Sequence, residues 1–185
     1  MTPHSAKNED GLLATLALAL VDKPRANLQE LAAAAGVSKA TLYRFCRTRE
    51  ELIERLMAHG AELMQRSLKD AAPDEDTPLE ILRHMILRQL EHREMTAFLI
   101  YFWKPDTLQD TRWTAAWTDY QDALDALFLR GQREGSFRID ISAASLTEAL
   151  ISLVTGLMDA ERRGRVARAG IPAVVEALFL RGAAA

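Results

Sequence analysis

The N-terminal quarter of the sequence concentrates side chains that can bind phosphates and bases. Residues 31–49 contain no acidic residue. They carry four cations, Lys39, Arg44, Arg47 and Arg49, and four hydroxyl groups, on Ser38, Thr41, Tyr43 and Thr48. This mixture suits a nucleic acid, because cations and hydroxyl groups bind phosphate oxygens and guanidinium groups pair with base edges. The net charge of −3 is compatible with such a site, since a sum over all residues hides local fields.

Helix-capping residues surround this segment and predict two short helices. Asn27, with Glu30 three residues later, forms a capping box at the start of the first helix. Gly36 follows that helix, and glycine is the residue that best adopts the left-handed conformation at a helix end. Ser38 then caps a second helix over residues 39–46. Two short helices joined by such a turn form a helix-turn-helix, whose second helix enters the major groove of DNA.

We therefore predict that the second helix contacts double-stranded DNA. Leu42 and Cys46 lie four residues apart and face inward, which leaves the remaining side chains exposed. Arg44 can pair with a guanine, and Ala40 and Thr41 can contact base edges or a thymine methyl group. The other residues predicted at the DNA, which bind phosphates or open the helices that do so, are Asn27, Ser38, Lys39, Tyr43, Arg47, Thr48 and Arg49.

The order of residue types in this region resembles the DNA-binding domain of the tetracycline-repressor (TetR) family of bacterial regulators. The resemblance covers Leu31-Ala32-x-x-Ala35-Gly36-Val37-Ser38-Lys39-Ala40-Thr41-Leu42-Tyr43-Arg44 and continues over Thr48-Arg49-Glu50-Glu51-Leu52. It implies a homodimer that binds a palindromic operator, usually represses transcription, and is released by a small molecule. Three features depart from the family pattern. The link from Asp22 to Ala26 is short and lacks the family's Gly-aromatic pair, Cys46 stands where the family usually has Phe, and Arg47 stands where it often has Pro.

The remaining sequence favours an all-α fold. Leu, Ala, Glu, Arg and Met are good helix formers and are abundant. The helical spacing of apolar residues predicts helices over residues 8–22, 48–69, 79–92, 95–103, 106–134, 142–163 and 172–181. We predict a helix-turn-helix DNA-binding domain over residues 1–47, a connecting helix over residues 48–70, and a helical ligand-binding and dimerisation domain over residues 71–185.

Aromatic side chains recur after residue 92 and predict a pocket for an apolar or aromatic small-molecule ligand. Tryptophan needs a partner for its N–H group and often lines binding cavities. An apolar stripe is also what any buried helix shows, so plain core packing remains an alternative. We place His92 on the buried edge of its helix, at the pocket wall. The predicted pocket residues are His92, Phe98, Phe102, Trp103, Trp113, Trp117 and Tyr120.

The helix predicted over residues 142–163 is apolar around more than half of its circumference. A helix on the surface of a monomer needs an apolar face of only about 100°. The excess predicts burial from two sides, by its own domain and by a second copy of the chain. Burial within a single chain is the alternative. Together with the last helix it supplies the predicted dimer interface, which comprises Leu150, Ile151, Val154, Met158, Val174, Val175 and Leu178.

Other chemistries find little support in the sequence. There is no nucleophile near a base, no glycine-rich phosphate loop and no set of metal ligands at a usable spacing. We therefore predict no enzymatic activity, no metal site and no cofactor, and an all-α enzyme remains the more distant alternative. A nearer alternative is a constitutive repressor that binds DNA and has no ligand.

The single cysteine, Cys46, fits a reducing cytoplasm, where we predict the protein to be located. An unpaired cysteine is usually a buried core residue, which is the role we predict for it. The neighbouring Arg44 and Arg47 would favour a thiolate, so a redox sensor is the alternative. We predict no membrane association, because no run approaches the roughly 20 apolar residues that cross a bilayer.

Overall fold

A computed structural model describes residues 3–70, 77–102 and 111–184, with the backbone alone for residues 3–9, 68–70, 111–114 and 116. Within these ranges the chain is helical, and its one strand-like pairing is an isolated bridge between Phe137 and Ala184. The predicted all-α fold is confirmed. The helices are α1 (Pro3–Asp22), α2 (Leu28–Ala34), α3 (Lys39–Phe45), α4 (Arg49–Asp70), α5 (Pro78–Glu91), α6 (Arg93–Phe102), α7 (Thr111–Arg133), α8 (Ala143–Arg162) and α9 (Ile171–Ala183).

The chain packs as two units. The first contains Met1–Glu62 and His92–Leu108, and the second contains Leu63–Glu91 and Gln109–Ala185. The sequence placed α6 in the predicted ligand domain, but α6 packs along α1 and so belongs to the first unit. The functional division into residues 1–47, 48–70 and 71–185 remains a prediction.

The core of the first unit starts from the apolar face of α1. Leu13, Leu16 and Leu20 recur at spacings of three and four residues, which places them on one side of the helix, and all three are buried. α1 packs against α2 and α6. Phe98 of α6 is fully buried and stacks on Phe102, with the ring centroids 4.6 Å apart. The basic helix α3 thus packs on α2, α2 packs on α1, and α1 packs on α6.

The core of the second unit lies among α5, α7, α8 and α9, which pack against one another. Three phenylalanines form part of it. Phe128 meets Phe137 edge-on at a centroid distance of 5.1 Å, and it meets Phe179 at 5.8 Å. Leu150 and Val154 of α8 are buried in the same cluster. One side of α8 is thus part of this core.

The turn after α7 brings Phe137 back over its own helix. Gly135 has a φ of 75°, in the left-handed region that glycine adopts without strain. The carbonyl of Gly131 accepts hydrogen bonds from the N–H groups of Ser136 and Phe137, at 2.7 and 3.2 Å. A Cβ atom on Gly131 would lie 2.2 Å from Cδ2 of Phe137. The contact therefore requires glycine at position 131.

By length and composition α8 could cross a membrane, and it is the one helix in the described ranges of which this is true. This is weak support for a membrane span, because the core helix of a soluble protein has the same properties. Leu146, Leu150 and Val154 of α8 belong to the core of the second unit. Core packing therefore accounts for the apolar character of one face of α8.

Gly131→Ala tests the contact between α7 and Phe137. The added methyl group would overlap a fully buried ring that is closely surrounded, so we expect the free energy of unfolding to fall by about 1–3 kcal/mol. Gly11→Ala is the matched control: its methyl group meets open space on α1, and removing a helical glycine should stabilise the protein by about 0.5–1 kcal/mol. Chemical denaturation measures both, and equal stabilities of the two variants would contradict this packing.

Candidate nucleic-acid interface

α2 begins at a complete capping box and is followed by a left-handed turn. The side-chain oxygen of Asn27 accepts hydrogen bonds from the N–H groups of Gln29 and Glu30, at 2.9 and 3.0 Å. The carboxylate of Glu30 accepts one from the N–H of Asn27, at 2.8 Å. Gly36 has a φ of 66°. The predicted cap and the predicted turn are both confirmed. Because the oxygen of Asn27 serves the cap, only its amide nitrogen can donate to a phosphate.

α3 has one buried side and one exposed side. The Oγ atom of Ser38 accepts a hydrogen bond from the N–H of Thr41 at 3.0 Å, and it lies 2.8 Å from the hydroxyl oxygen of that residue. Leu42 and Cys46 are buried, as the sequence predicts. Thr41 is partly buried. The exposed side chains of the helix are Lys39, Ala40, Tyr43 and Arg44. Four of the residues predicted at the DNA thus share one accessible surface.

The start of α4 is joined to the end of α3 through one carboxylate. Thr48 caps α4 by accepting a hydrogen bond from the N–H of Glu51 at 3.0 Å. The carboxylate of Glu51 accepts hydrogen bonds from the N–H of Arg47 at 2.7 Å and from the guanidinium of Arg55 at 3.1 Å. These two bonds hold the pKa of Glu51 below its usual range. The carboxylate is therefore ionised at neutral pH.

Two cation–aromatic contacts flank the same corner. The guanidinium of Arg55 lies over the ring of Phe45, 4.7 Å from its centroid. The ammonium of Lys39 lies over the ring of Tyr43 at 5.5 Å. Arg55 and Phe45 are not among the residues predicted at the DNA. The spacing of four residues between Glu51 and Arg55 was the available signal, because such pairs meet on a helix.

The arginines predicted to bind DNA have different surroundings. Arg44 on α3 and Arg47 after it are exposed. Arg49 is the first residue of α4 and is partly buried, and its Nη2 atom donates a hydrogen bond to the carbonyl of Pro24. Its guanidinium is thus engaged inside the unit, whereas the sequence assigned it to a phosphate.

Cys46 is buried in the first unit. Burial raises the pKa of its thiol, and the carboxylate of Glu51 raises it further, against a smaller opposite effect of Arg55. The thiol is therefore protonated at neutral pH, which supports the core role over a redox sensor. Among the described residues, no group of three or more His, Cys, Asp and Glu side chains could hold a metal ion.

The predicted pocket residues are divided between the two units. Phe98 and Phe102 stack on each other in the first, and Trp117 and Tyr120 lie with centroids 5.9 Å apart in the second. His92 is exposed, not buried as predicted, because α5 ends at Glu91 and His92 lies in the following turn. Trp103 and the side chain of Trp113 lie outside the described residues.

Tyr120 is more enclosed than Trp117, the other predicted pocket residue of the second unit whose side chain is described. Its hydroxyl group accepts a hydrogen bond from the amide of Gln89, and burial raises the pKa of the phenol well above its usual range. Trp117 is partly buried and packs against the core of this unit. Trp117 is therefore the described aromatic residue of this group that contacts both core and solvent.

The predicted dimer residues also fall into two groups. Leu150, Val154, Met158 and Val175 are buried in the core of their own chain, so they cannot contribute area to an interface. Ile151 and Val174 are partly exposed, and Leu178 is 60% exposed. The helical pattern identified an apolar helix pair correctly, but it could not tell which face the chain itself covers.

The capped helix α2, the left-handed turn at Gly36 and the basic helix α3, which is buried along one side, together define a helix-turn-helix DNA-binding domain. The family described as "Bacterial regulatory proteins, tetR family" matches residues 24–56, a range that contains α2 and α3. Over 176 residues the chain is 48% identical to the HTH-type transcriptional regulator NfxB of Pseudomonas aeruginosa, and the alignment covers 95% of this chain and 94% of NfxB.

Two further proteins resemble this chain, LfrR in sequence and in fold, and KstR2 in fold. The HTH-type transcriptional repressor LfrR of Mycolicibacterium smegmatis is 32% identical over 105 residues, which are 57% of this chain and 54% of LfrR. The crystal structure of LfrR in complex with proflavine superposes with a TM-score of 0.72 at 23% identity, covering 97% of each chain. The ketosteroid regulator KstR2 of Mycobacterium tuberculosis gives 0.77 at 17% identity, covering 94% and 93%. These two structures show the shared fold.

The chain belongs to the TetR family of bacterial transcriptional regulators, since the relative at 48% identity spans nearly its whole length. It is a transcriptional regulator that binds DNA through a helix-turn-helix. The resemblance seen in the sequence is thereby confirmed.

Arg44→Ala and Arg47→Ala should separate base recognition from phosphate binding. On a duplex selected from a random pool by the full-length protein, we expect Arg44→Ala to cost about 1–3 kcal/mol and to relax specificity at one base pair per half-site. Arg47→Ala should weaken binding to all duplexes nearly equally and lower the slope of log K against log salt by about one unit. Anisotropy titrations at several salt concentrations measure both effects. If Arg44→Ala binds selected and random duplexes as the native protein does, Arg44 does not read a base.

Proposed function

We propose that this protein is a ligand-responsive transcriptional repressor that binds a palindromic operator as a homodimer. The observation that carries the proposal is α3, which exposes Lys39, Tyr43 and Arg44 while Leu42 and Cys46 anchor its other side. A helix presented in this way fits the major groove, about 12 Å wide. We further propose that the protein acts in the cytoplasm, without a cofactor or catalytic activity, as is expected of a relative of transcriptional regulators.

The dimer follows from what operator recognition requires. One seven-residue helix contacts only a few base pairs, so two copies related by a two-fold axis are needed for a specific site. Their recognition helices must then be about 34 Å apart, one turn of B-DNA. Such a spacing needs an interface outside the helix-turn-helix.

The exposed face of α8 is suited to that interface. Ser145, Ala149, Ser152 and Gly156 recur at spacings of four, three and four residues and are all exposed, so they form one stripe along the helix. Small side chains allow two helices to approach closely. We call this the small-residue stripe. It lies on the side of α8 opposite Val154, whose side chain is in the core.

α9 contributes large apolar side chains to the proposed dimer interface. α8 and α9 pack against each other, and Leu178 of α9 is 60% exposed although it is a large apolar side chain. Val174, one turn earlier, is partly exposed. An isologous contact formed by α8 and α9 of both copies would be a four-helix interface that covers these residues.

Gly156→Arg tests the dimer without touching the core of the monomer, because a side chain at this position meets open space. In a two-fold contact the new charge is met by its own copy, so we expect a monomer that loses high-affinity binding to the selected duplex. Ala126→Arg, on an exposed position of α7, is the matched control and should remain dimeric. Light scattering gives the oligomeric state. A native protein that is monomeric at micromolar concentration would refute the interface.

A planar aromatic ligand is supported by the aromatic residues of the second unit. Trp117 offers a partly exposed indole ring next to Tyr120, and the hydroxyl group of Tyr120 is already bonded to Gln89. Such a surface supplies stacking area with few polar groups. The crystal structure of LfrR in complex with proflavine also supports the proposal, because proflavine is a planar aromatic molecule. We propose that the ligand of this chain contacts Trp117, and that the buried Tyr120 packs beside that ring.

Proflavine is the probe for ligand control. The fluorescence of the three tryptophans should be quenched saturably by proflavine in the absence of DNA, and proflavine should release the selected duplex from the protein. Trp117→Leu should weaken proflavine binding by about tenfold, because a stacking surface is lost. Leu129→Ala, at an exposed position of the same helix, is the matched control and should change neither binding nor release.

Proflavine can also stack between DNA bases, because it is a planar aromatic cation. Release of the duplex therefore supports ligand control only if Trp117→Leu diminishes that release. A ligand weakens DNA binding only if it prefers a conformation that binds DNA poorly, and a hundredfold preference corresponds to about 2.7 kcal/mol. Binding of proflavine without release of DNA would favour the constitutive repressor over the ligand-responsive one.

A further inference from the structure

Arg49 and Pro24 stand on either side of the helix-turn-helix. Pro24 lies in the link between α1 and α2, and Arg49 is the first residue of α4. The guanidinium of Arg49 donates a hydrogen bond from Nη2 to the carbonyl of Pro24, across 25 positions of the sequence. This bond therefore joins the chain just before α2 to the chain just after α3. We call it the Arg49–Pro24 clasp.

The position of Arg49 has two energetic costs. As the first residue of α4, it places a positive charge at the positive end of the helix dipole. Its Nε atom is buried, and no acceptor among the described residues bonds to it. Burying a polar hydrogen without an acceptor is costly. The bond to Pro24 is the hydrogen bond that offsets these costs.

Two backbone hydrogen bonds lie in the link that contains Pro24. The N–H of Lys23 bonds to the carbonyl of Ala19 at 2.9 Å, and the N–H of Ala26 bonds to that of Lys23 at 3.0 Å. The carbonyl of Pro24 takes no part in either bond. Closing the 25-residue loop at this carbonyl limits the motion of α2 and α3 relative to α4, because it restrains both ends of the segment.

We propose that Arg49 is a positioning residue that closes the helix-turn-helix through the carbonyl of Pro24 and does not contact a phosphate. Arg47, two residues earlier, is exposed and is the phosphate-binding cation of this corner. This inference rests on the DNA binding of the protein. It separates two arginines to which sequence reasoning assigned the same role.

The test compares Arg49→Ala with Arg47→Ala in the full-length protein, using the selected duplex and a random duplex of equal length. For Arg49→Ala we expect about tenfold weaker binding to the selected duplex, the size of one charged hydrogen bond, nearly unchanged binding to the random duplex, and an unchanged salt slope. Arg47→Ala should weaken binding to both duplexes and lower the salt slope by about one unit. Amide exchange in α2 and α3 should accelerate in Arg49→Ala and not in Arg47→Ala.

The proposal is overturned if Arg49→Ala lowers the salt slope by about one unit, or if it binds both duplexes as the native protein does. If Arg49→Ala fails to fold, NMR measurements on the native protein test the Arg49–Pro24 clasp. The Nε–H of Arg49 should exchange with water far more slowly than that of Arg47, and its NMR signal should stay in place when the selected duplex is added. Fast exchange, or a shift on binding, overturns the clasp. If the pool yields no enriched duplex, it is specific DNA binding that fails, and the exchange measurements still test the clasp.

Discussion

The recognition helix α3 has seven residues, and a helix of that length does not persist in water by itself. The contacts of α3 within the first unit stabilise it instead. Leu42 and Cys46 are buried beneath it, Ser38 caps its start, and Glu51 bonds to the backbone of Arg47 just beyond its end. These contacts fall on one side and at the two ends. The other side therefore remains exposed and available to the groove of DNA.

The support continues beyond the three N-terminal helices. α6 follows α5 in the chain but packs along α1, and its Phe98 is fully buried. The first unit therefore draws on two segments that are distant in the sequence. A ligand proposed to act at Trp117 in the second unit must influence a DNA-binding unit that includes α6. The helix pair α5 and α6, joined at His92, and the helix α4 are the described segments through which the chain passes from one unit to the other.

α8 shows how one helix can serve two surfaces. Val154 and its neighbours fill the core of the second unit, whereas the small-residue stripe faces outward. The apolar character that allows α8 to pass for a membrane span is thus divided between a covered face and an open one. The face with Val154 is buried in the core of its own chain. The face with the small-residue stripe supports the proposed dimer, because a helix with only one surface to bury would not need apolar or small residues around most of its circumference.

Local features of this protein follow from the sequence alone. The capping box at Asn27, the left-handed Gly36 and the cap at Ser38 each depend on atoms within a few residues, so residue types at short spacing predict them. Tertiary packing alone decided the rest. It turned Arg49 toward Pro24, placed α6 on α1 and covered Val154. The spacing of apolar residues shows that a helix has an apolar face. It does not show which distant segment covers that face, because this depends on how all the apolar faces of the chain pack together.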